Sequence, residues 1–152
     1  MIRIKSVENE FNQILDLARS LPEWFTEDGI CQMAKDLPCQ HSLIATSHGT
    51  AVGFLSYYSH EGIAHIGWMA VERSCQRKGI GSALVLRLLN YLSELSISEV
   101  RVKTLGESID YEPYVGTRLF YYSLGFLKSN VTHQDNPDFP EELELSLILK
   151  SN

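Results

Sequence analysis

A mixed α/β (α+β) fold, with a mainly antiparallel sheet of about seven strands flanked by about four helices, is predicted by three observations. Between His41 and Val71, strand-like runs follow one another with only short turns between them. Further on, strand and helix patterns alternate in a β-α-β-α-β unit. The chain has 152 residues, 44% apolar and 21% charged, enough to bury one full core. With no linker, repeat or low-complexity block, residues 1–152 are expected to form a single domain.

The elements follow in order. Ile2 and Ile4 alternate with Arg3 and Lys5 as a short strand, and Ser6 is the expected cap of a helix carrying Phe11, Ile14, Leu15 and Ala18 until Pro22 stops it. Thr26 caps a second helix, with Glu27 and Asp28 in its first turn and an apolar stripe of Ile30, Met33, Ala34 and Leu37. Three strands are expected at Ser42–Ser47, Ala51–Tyr58 and Ile63–Val71, with turns at His48-Gly49 and Ser59–Gly62. A long helix runs from Ile80 to Leu95, with Leu84, Leu88, Leu92 and Leu95 on one face. Then come a strand at Val100–Lys103, a polar loop from Leu105 to Gly116, and a helix from Thr117 to Leu124 ended by Gly125. The last two strands are Phe126–Thr132 and Leu143–Leu149, separated by the turn-rich Asp135–Pro140.

Charge and composition remove whole classes of function. With 13 Lys plus Arg against 19 Asp plus Glu, the net charge is −6, which argues against a nucleic-acid partner and leaves room for cationic ones. No apolar run reaches the roughly 18 residues of a membrane span, and no basic, apolar leader opens the chain, so a cytoplasmic protein without a membrane partner is expected. Cys31, Cys39 and Cys75 form no CxxC pair and have no companion histidine spacing, so they read as reduced packing residues and no metal is expected.

The most informative stretch is Gln76-Arg77-Lys78-Gly79-Ile80-Gly81, between the strand ending at Val71 and the helix starting near Ile80. A helix begins with unpaired N–H groups and a partial positive charge, and glycines there let the backbone close on a phosphate. Arg77 and Lys78 add charge beside it. Two familiar phosphate loops fail against the letters. A Walker A loop needs its lysine after the last glycine, and Lys78 precedes Gly79. A dinucleotide fingerprint needs a third glycine where this chain has Leu84.

The run Gln76-x-x-Gly79-x-Gly81, preceded by Ile66-Gly67-Trp68-Met69-Ala70-Val71 and followed by a leucine-striped helix, resembles the acetyl-CoA signature of the GNAT superfamily of N-acetyltransferases. Downstream, Phe120-Tyr121-Tyr122-Ser123-Leu124-Gly125-Phe126 resembles the FYxxLGF signature near the end of those proteins. The order of the two motifs and of the elements around them extends the resemblance over the whole chain.

The resemblance implies acetyl-CoA as co-substrate, its pyrophosphate held by the amides of Gln76, Arg77, Lys78, Gly79, Ile80, Gly81 and Ser82. It implies that Met69, Ala70 and Val71 pair with the pantetheine arm and aim an N–H at the thioester carbonyl. It gives Tyr121 the role of protonating the departing thiolate, for which a phenol with pKa near 10 is suited; packing a helix against the sheet is the alternative role. Where many relatives carry a basic glutamate, this chain has His65, which titrates near 6.5 and can take a proton directly or through water. Glu61, Glu107, Asp110 and Glu112 compete for that role. Relatives often carry an asparagine seven residues before the tyrosine, where this chain has Tyr114. The acidic, aromatic stretch with Glu107, Tyr111 and Tyr114 is a candidate wall for an amine, and Trp24 and Phe25 are a second.

The expected activity is therefore transfer of an acetyl group from acetyl-CoA to a primary amine, by direct attack in a ternary complex. Cys75 lacks a histidine partner for a ping-pong route. Two other readings are carried: a catalytically silent acyl-CoA-binding or sensing module, and an acetyltransferase acting on a ribosomal or other basic protein. A homodimer through the last strand, with Leu143, Leu145, Leu147 and Leu149, is a further expectation.

Overall fold

The computed structural model describes residues 1–150. One compact unit comprises residues 1–58 and 66–96. Its first strand, β1 (Ile2–Val7), pairs antiparallel with β2 (His41–Ser47), matching Ile2 with Ser47 and Val7 with Ser42. β2 pairs in turn with β3 (Thr50–His60), and β3 leads into β4 (Ile63–Val71). Both connections have two residues, His48-Gly49 and Glu61-Gly62, with φ of 50° and 79° in the first and 54° and 79° in the second. Left-handed backbone at both positions is the type I′ turn, whose twist matches that of the flanking strands. The histidine and the glutamate are therefore the strained members of each pair.

Helices cover this part of the sheet on both faces. α1 (Asn12–Arg19) and α2 (Glu27–Asp36) bury Ile14, Leu17, Ala18, Ile30 and Met33 against Ile44, Phe54 and Ala70. Thr26 caps α2 as expected, its hydroxyl accepting from the Gly29 N–H at 3.0 Å. Successive strand residues point to opposite faces, so Gly53, beside Phe54, faces α3 (Ile80–Ser93). A Cβ on Gly53 would lie 3.1 Å from Ile80 Cγ2 and 3.3 Å from Leu84 Cδ1. A side chain there would press on both, and glycine lets the helix settle this close.

A second compact unit comprises residues 59–65 and those from Ile97 onward. β5 (Glu99–Leu105) pairs antiparallel with β7 (Glu141–Ile148), which pairs antiparallel with β6 (Leu127–His133). Val100, Val102, Thr104, Leu143 and Leu145 are buried on one face, together with Arg118 and Tyr121 of α4 (Pro113–Ser123). The alternate residues Glu99, Arg101, Lys103, Glu142, Glu144 and Ser146 form a polar face. The Arg118 guanidinium donates to the Leu105 carbonyl at 2.8 Å, so this buried charge clips α4 to the end of β5. All seven strands belong to one sheet, in the order β1-β2-β3-β4-β5-β7-β6.

Several expectations are corrected. Ser6 belongs to β1, opposite Leu43, and does not cap α1, which starts at Asn12 without a side-chain cap; ladder pairing outweighs one cap. The polar loop is shorter than predicted, because β5 continues to Leu105 and α4 begins at Pro113. Proline at the first helical position loses no hydrogen bond, so Pro113 opens a helix inside the stretch expected to be loop. β5 and β7 extend past the expected runs to take in Glu99, Leu105, Glu141 and Glu142, and β6 is shifted by one residue to end at His133. Leu95 lies past the end of α3 and is 61% exposed, and Ala34 faces solvent. Cys31 and Cys39 are exposed and Cys75 half-buried, so the three free thiols are not core residues. Of the leucines named for the last strand, Leu143 and Leu145 are buried in the protein's own core, and Leu147 and Leu149 are half-buried. Among the described residues, no helix is long and apolar enough to cross a membrane.

Candidate active site

In the first unit, β4 ends at Val71 and the chain enters a short 3-10 turn, Arg73–Cys75. The Glu72 N–H donates to the Val52 carbonyl at 2.8 Å, and the Glu72 carboxylate accepts from the Ser74 N–H at 3.0 Å. Hydrogen bonding to Ser74 holds the Glu72 carboxyl below its ordinary range. Gln76 then folds back, its Nε2 donating to the Val71 carbonyl at 3.0 Å, so the first letter of the glycine motif fastens the loop to the end of the strand.

Arg77 has φ of 63° and Gly79 φ of 85°. Two left-handed residues within three turn the backbone sharply into α3, and for arginine that conformation costs roughly 1–2 kcal/mol. Strain of this kind at an exposed basic residue marks a place where shape matters more than stability. No side chain caps α3, and a Cβ on Gly79 would meet nothing within 4 Å. The first-turn amides of Ile80, Gly81 and Ser82 therefore lack side-chain partners, while buried Ile80 anchors the turn from beneath. Left-handed backbone, uncapped amides, the helix dipole and Arg77 with Lys78 together fit a diphosphate.

Also in this unit, Ala70 is buried while Met69 and Val71 are half-buried. Of the two proposed acceptor aromatics, Phe25 belongs to the α1–α2 core and Trp24 lies at its edge. Phe25 reaches the Trp68 ring at 6.3 Å between centroids, a neighbour that the motif reading did not single out. Arg73 ties this region together by an ion pair with Glu23, donating from Nη2 to Oε1 at 2.8 Å.

The second unit carries the remaining candidates. Tyr121 is 4% exposed, and burial, reinforced by Tyr114, pushes its phenol well above the usual tyrosine range. It is thus held as an acid at neutral pH. His65, half-buried on β4, has its pKa lowered first by burial and then by the Arg101 guanidinium, with Glu144 opposing and Lys103 and His60 adding to the fall. Arg101 is itself paired with Glu99, and with Glu144 at 3.8 Å. A neutral imidazole at pH 7 is the result.

Tyr111 and Tyr114 come together at 6.2 Å, and Tyr114 meets Phe139 of the β6–β7 connection edge-on at 5.9 Å. Burial pushes the Tyr114 phenol up to about 12. Phe139 escaped the sequence reading because it sits in a turn-rich stretch with no periodicity. The exposed Asp110, Glu112 and Asp138 flank these rings in the chain. Glu107 is engaged elsewhere: it accepts from Tyr122 Oη at 2.6 Å and from Lys128 Nζ at 2.8 Å. Among the described residues, no group of three or more His, Cys, Asp or Glu is placed to hold a metal.

A seven-stranded sheet whose long helix opens on an uncapped, glycine-turned N-terminus is an architecture suited to holding a phosphate-bearing ligand. The model of the acetyltransferase (GNAT) family matches residues 4–126, and the chain belongs to that family. Among solved structures it is similar to the ribosomal-protein-S18-alanine N-acetyltransferase of Escherichia coli, with a TM-score of 0.79 at 17% identity over 100% of this chain and 96% of the other. It is also similar to a Bacillus subtilis acetyltransferase in complex with CoA, with a TM-score of 0.76 at 20% identity over 99% and 100% of the two chains. Ard1 from Thermoplasma volcanium gives a TM-score of 0.73 at 21% identity over 97% and 99%. At these identities the likeness is one of fold. Among curated proteins, none matches the sequence.

Proposed function

We propose that this protein is a cytoplasmic N-acetyltransferase that moves an acetyl group from acetyl-CoA to a primary amine by direct attack. The observation that carries this reading is the strained turn at Arg77 and Gly79, which leaves the first amides of α3 without side-chain caps. The amides from Arg77 to Ser82, with the Arg77 and Lys78 side chains, hold the diphosphate, while the Gln76 N–H is spent on the Arg73 carbonyl. One helix terminus contributes only about 0.3–1 kcal/mol to an exposed anion, whereas micromolar binding requires roughly 8 kcal/mol. The backbone of Met69–Val71 therefore shares the binding, along the pantetheine arm, and presents an N–H to the thioester oxygen. Such a donor is worth about 3–4 kcal/mol in comparable sites.

In the reaction, the amine nitrogen bonds to the thioester carbon, the carbon–sulfur bond breaks, and the amine gives up one proton. At pH 7 a lysine-type amine, with pKa about 10.4, is neutral in roughly one molecule in 2,500. His65, neutral by its surroundings, accepts the amine's proton directly or through water. Tyr121 gives its proton to the thiolate. The rings of Tyr111, Tyr114 and Phe139 suit a cationic group. A basic protein segment meets the same requirement as a small amine, so protein acceptors belong to the substrate class tested.

The test is calorimetry with acetyl-CoA, followed by thiol release across a panel of amines and basic peptides. Micromolar binding and amine-dependent release are expected. Binding without release on any acceptor would favour a silent acyl-CoA sensor, and absence of binding at millimolar ligand would overturn the reading.

A further inference from the structure

Trp68 is held at both of its N–H groups by polar side chains of the first unit. Its backbone N–H donates to Ser56 Oγ at 2.9 Å, and Ser56 Oγ donates to Gln40 Oε1 at 2.7 Å. Its indole Nε1 donates to Asp36 Oδ2 at 2.9 Å, while Asp36 Oδ1 accepts from Gln32 Nε2 at 2.9 Å. In a regular ladder a strand amide pairs with a neighbouring carbonyl. Here the amide is satisfied by a hydroxyl that is 0% exposed, whose proton is in turn committed to a glutamine.

The packing shows how closely this arrangement is fitted. A Cβ on Gly67 would run into the Gln40 amide, so the glutamine side chain lies directly over the backbone preceding Trp68. Ser56 comes from β3, Asp36 from the end of α2, and Gln40 from the residue after the 3-10 turn Leu37–Cys39. Three separate elements thus converge on the dipeptide Gly67-Trp68. The next residues in the chain are Met69, Ala70 and Val71. This chain of hydrogen bonds, part-buried from Ser56 to Asp36 and exposed at Gln32, restrains what it holds, and a strand tied at one residue leaves its next amides little freedom.

We infer that Ser56 and Gln40 are positioning residues that set where the amides of Met69–Val71 stand, and that they control the acetyl-transfer step while leaving the coenzyme's phosphate seat intact. This rests on the acetyl-transfer reading given above. Neither side chain touches the glycine turn: the loop is fastened separately, by Gln76 to Val71 and by Ile80 under α3. The positioning pair therefore acts on kcat more than on acetyl-CoA affinity. Sub-ångström displacement of a reacting group is costly, with about 1 Å capable of a hundredfold loss.

The experiment compares wild type with Ser56→Ala, Gln40→Met and Gln40→Glu, measuring kcat, the acetyl-CoA Kd, the melting temperature, and the 15N–1H signals of the Trp68 amide and indole. Ser56→Ala removes the acceptor for Trp68, and kcat is expected to fall about tenfold, while Kd, to which the pantetheine contacts of Met69–Val71 contribute only a share, rises by a smaller factor of about two to three. The Trp68 amide signal should move and the indole signal stay. Gln40→Met keeps length and loses the oxygen, so it should reproduce the loss, and Gln40→Glu, which keeps an acceptor, should restore most of kcat. Should Ser56→Ala fail to fold, the Gln40 pair decides the matter alone. Active, acetyl-CoA-binding variants with wild-type kcat would overturn the positioning role and leave the acetyl-transfer reading standing. Equal losses in Kd and kcat, or no rescue by glutamate, would likewise overturn it. A wild-type protein that neither binds acetyl-CoA nor releases thiol would overturn both.

Discussion

Tyr121 and Phe126 meet edge to face, with ring centroids 5.4 Å apart and planes at 68°, because the backbone between them closes a Schellman motif. The Phe126 N–H donates to the Tyr121 carbonyl at 3.1 Å, and the Gly125 N–H to the Tyr122 carbonyl at 3.0 Å. The apolar contact that commonly accompanies this motif is here the contact of the proposed acid itself. The second signature of the sequence is therefore one physical object: a helix end that fixes its tyrosine.

Gly125→Ala should loosen that object. Gly125 has φ of +98°, and a Cβ would also press on Leu147 Cδ1 at 3.4 Å. The expected cost is about 1–2 kcal/mol, seen as a melting temperature lower by roughly 2–8 °C. Thiol release should fall further than stability alone explains, because Tyr121 would lose its fixed position. A variant with unchanged melting would contradict the strained-cap account.

Tyr121→Phe removes the phenol and keeps the ring. We expect kcat to fall about tenfold to a thousandfold with acetyl-CoA affinity nearly unchanged, as for loss of an acid used only in the transition state. Because burial holds the wild-type phenol above its ordinary pKa, the alkaline fall of kcat should lie above pH 10 wherever this group controls it. Full activity in the variant would remove the acid role.

His65 titrates below 6.5, so the neutral imidazole persists to lower pH than in a solvated histidine. The acid limb of kcat/KM is expected below pH 6.5. Arg101→Gln removes the main charged cause and leaves Glu99 and Glu144 beside the ring, so the limb should move to higher pH. The stability sign follows from the same direction. A depressed histidine pKa makes the unfolded chain the better proton acceptor, and stability should fall as pH drops below about 6.5. An unmoved acid limb in Arg101→Gln would exclude His65 as the controlling group.

Arg77→Gly separates strain from charge. Relief of the left-handed arginine, offset by the greater freedom of an unfolded glycine, should leave the melting temperature unchanged or raise stability by up to about 1 kcal/mol. Acetyl-CoA binding should weaken and lose part of its salt dependence, since one cation beside the diphosphate is gone. A stable variant that binds as tightly as wild type would show that the arginine side chain takes no part.

What the sequence disclosed was what neighbours in the chain decide. Thr26 as a cap, the His48-Gly49 turn, the Ile80 helix start and Gly125 as a helix stop are local events, each carried by a few adjacent letters, whereas the second turn, expected over Ser59–Gly62, tightens to Glu61-Gly62. The failures were contests that locality cannot judge. Ser6 was claimed by a strand partner 37 positions away, Leu43. Pro113 reads equally as a breaker or as a first helical residue until the tertiary setting of Arg118 on Leu105 is known. Phe139 and the Gln40–Ser56–Trp68 chain join residues from distant segments, and no period or motif marks them.

All seven residues of β6 are exposed, with Leu127 at 72% and Val131 at 50%, and among the described residues the strand has β7 as its only neighbour in the sheet. Such a border is a template on which another chain can polymerise. The register slip between Lys128 and Asn130, where Ser129 turns its hydroxyl to Glu144 at 3.0 Å, breaks that template in the middle. Lys128 stands at the same place, so a strand added along this border would meet both a broken ladder and a charge.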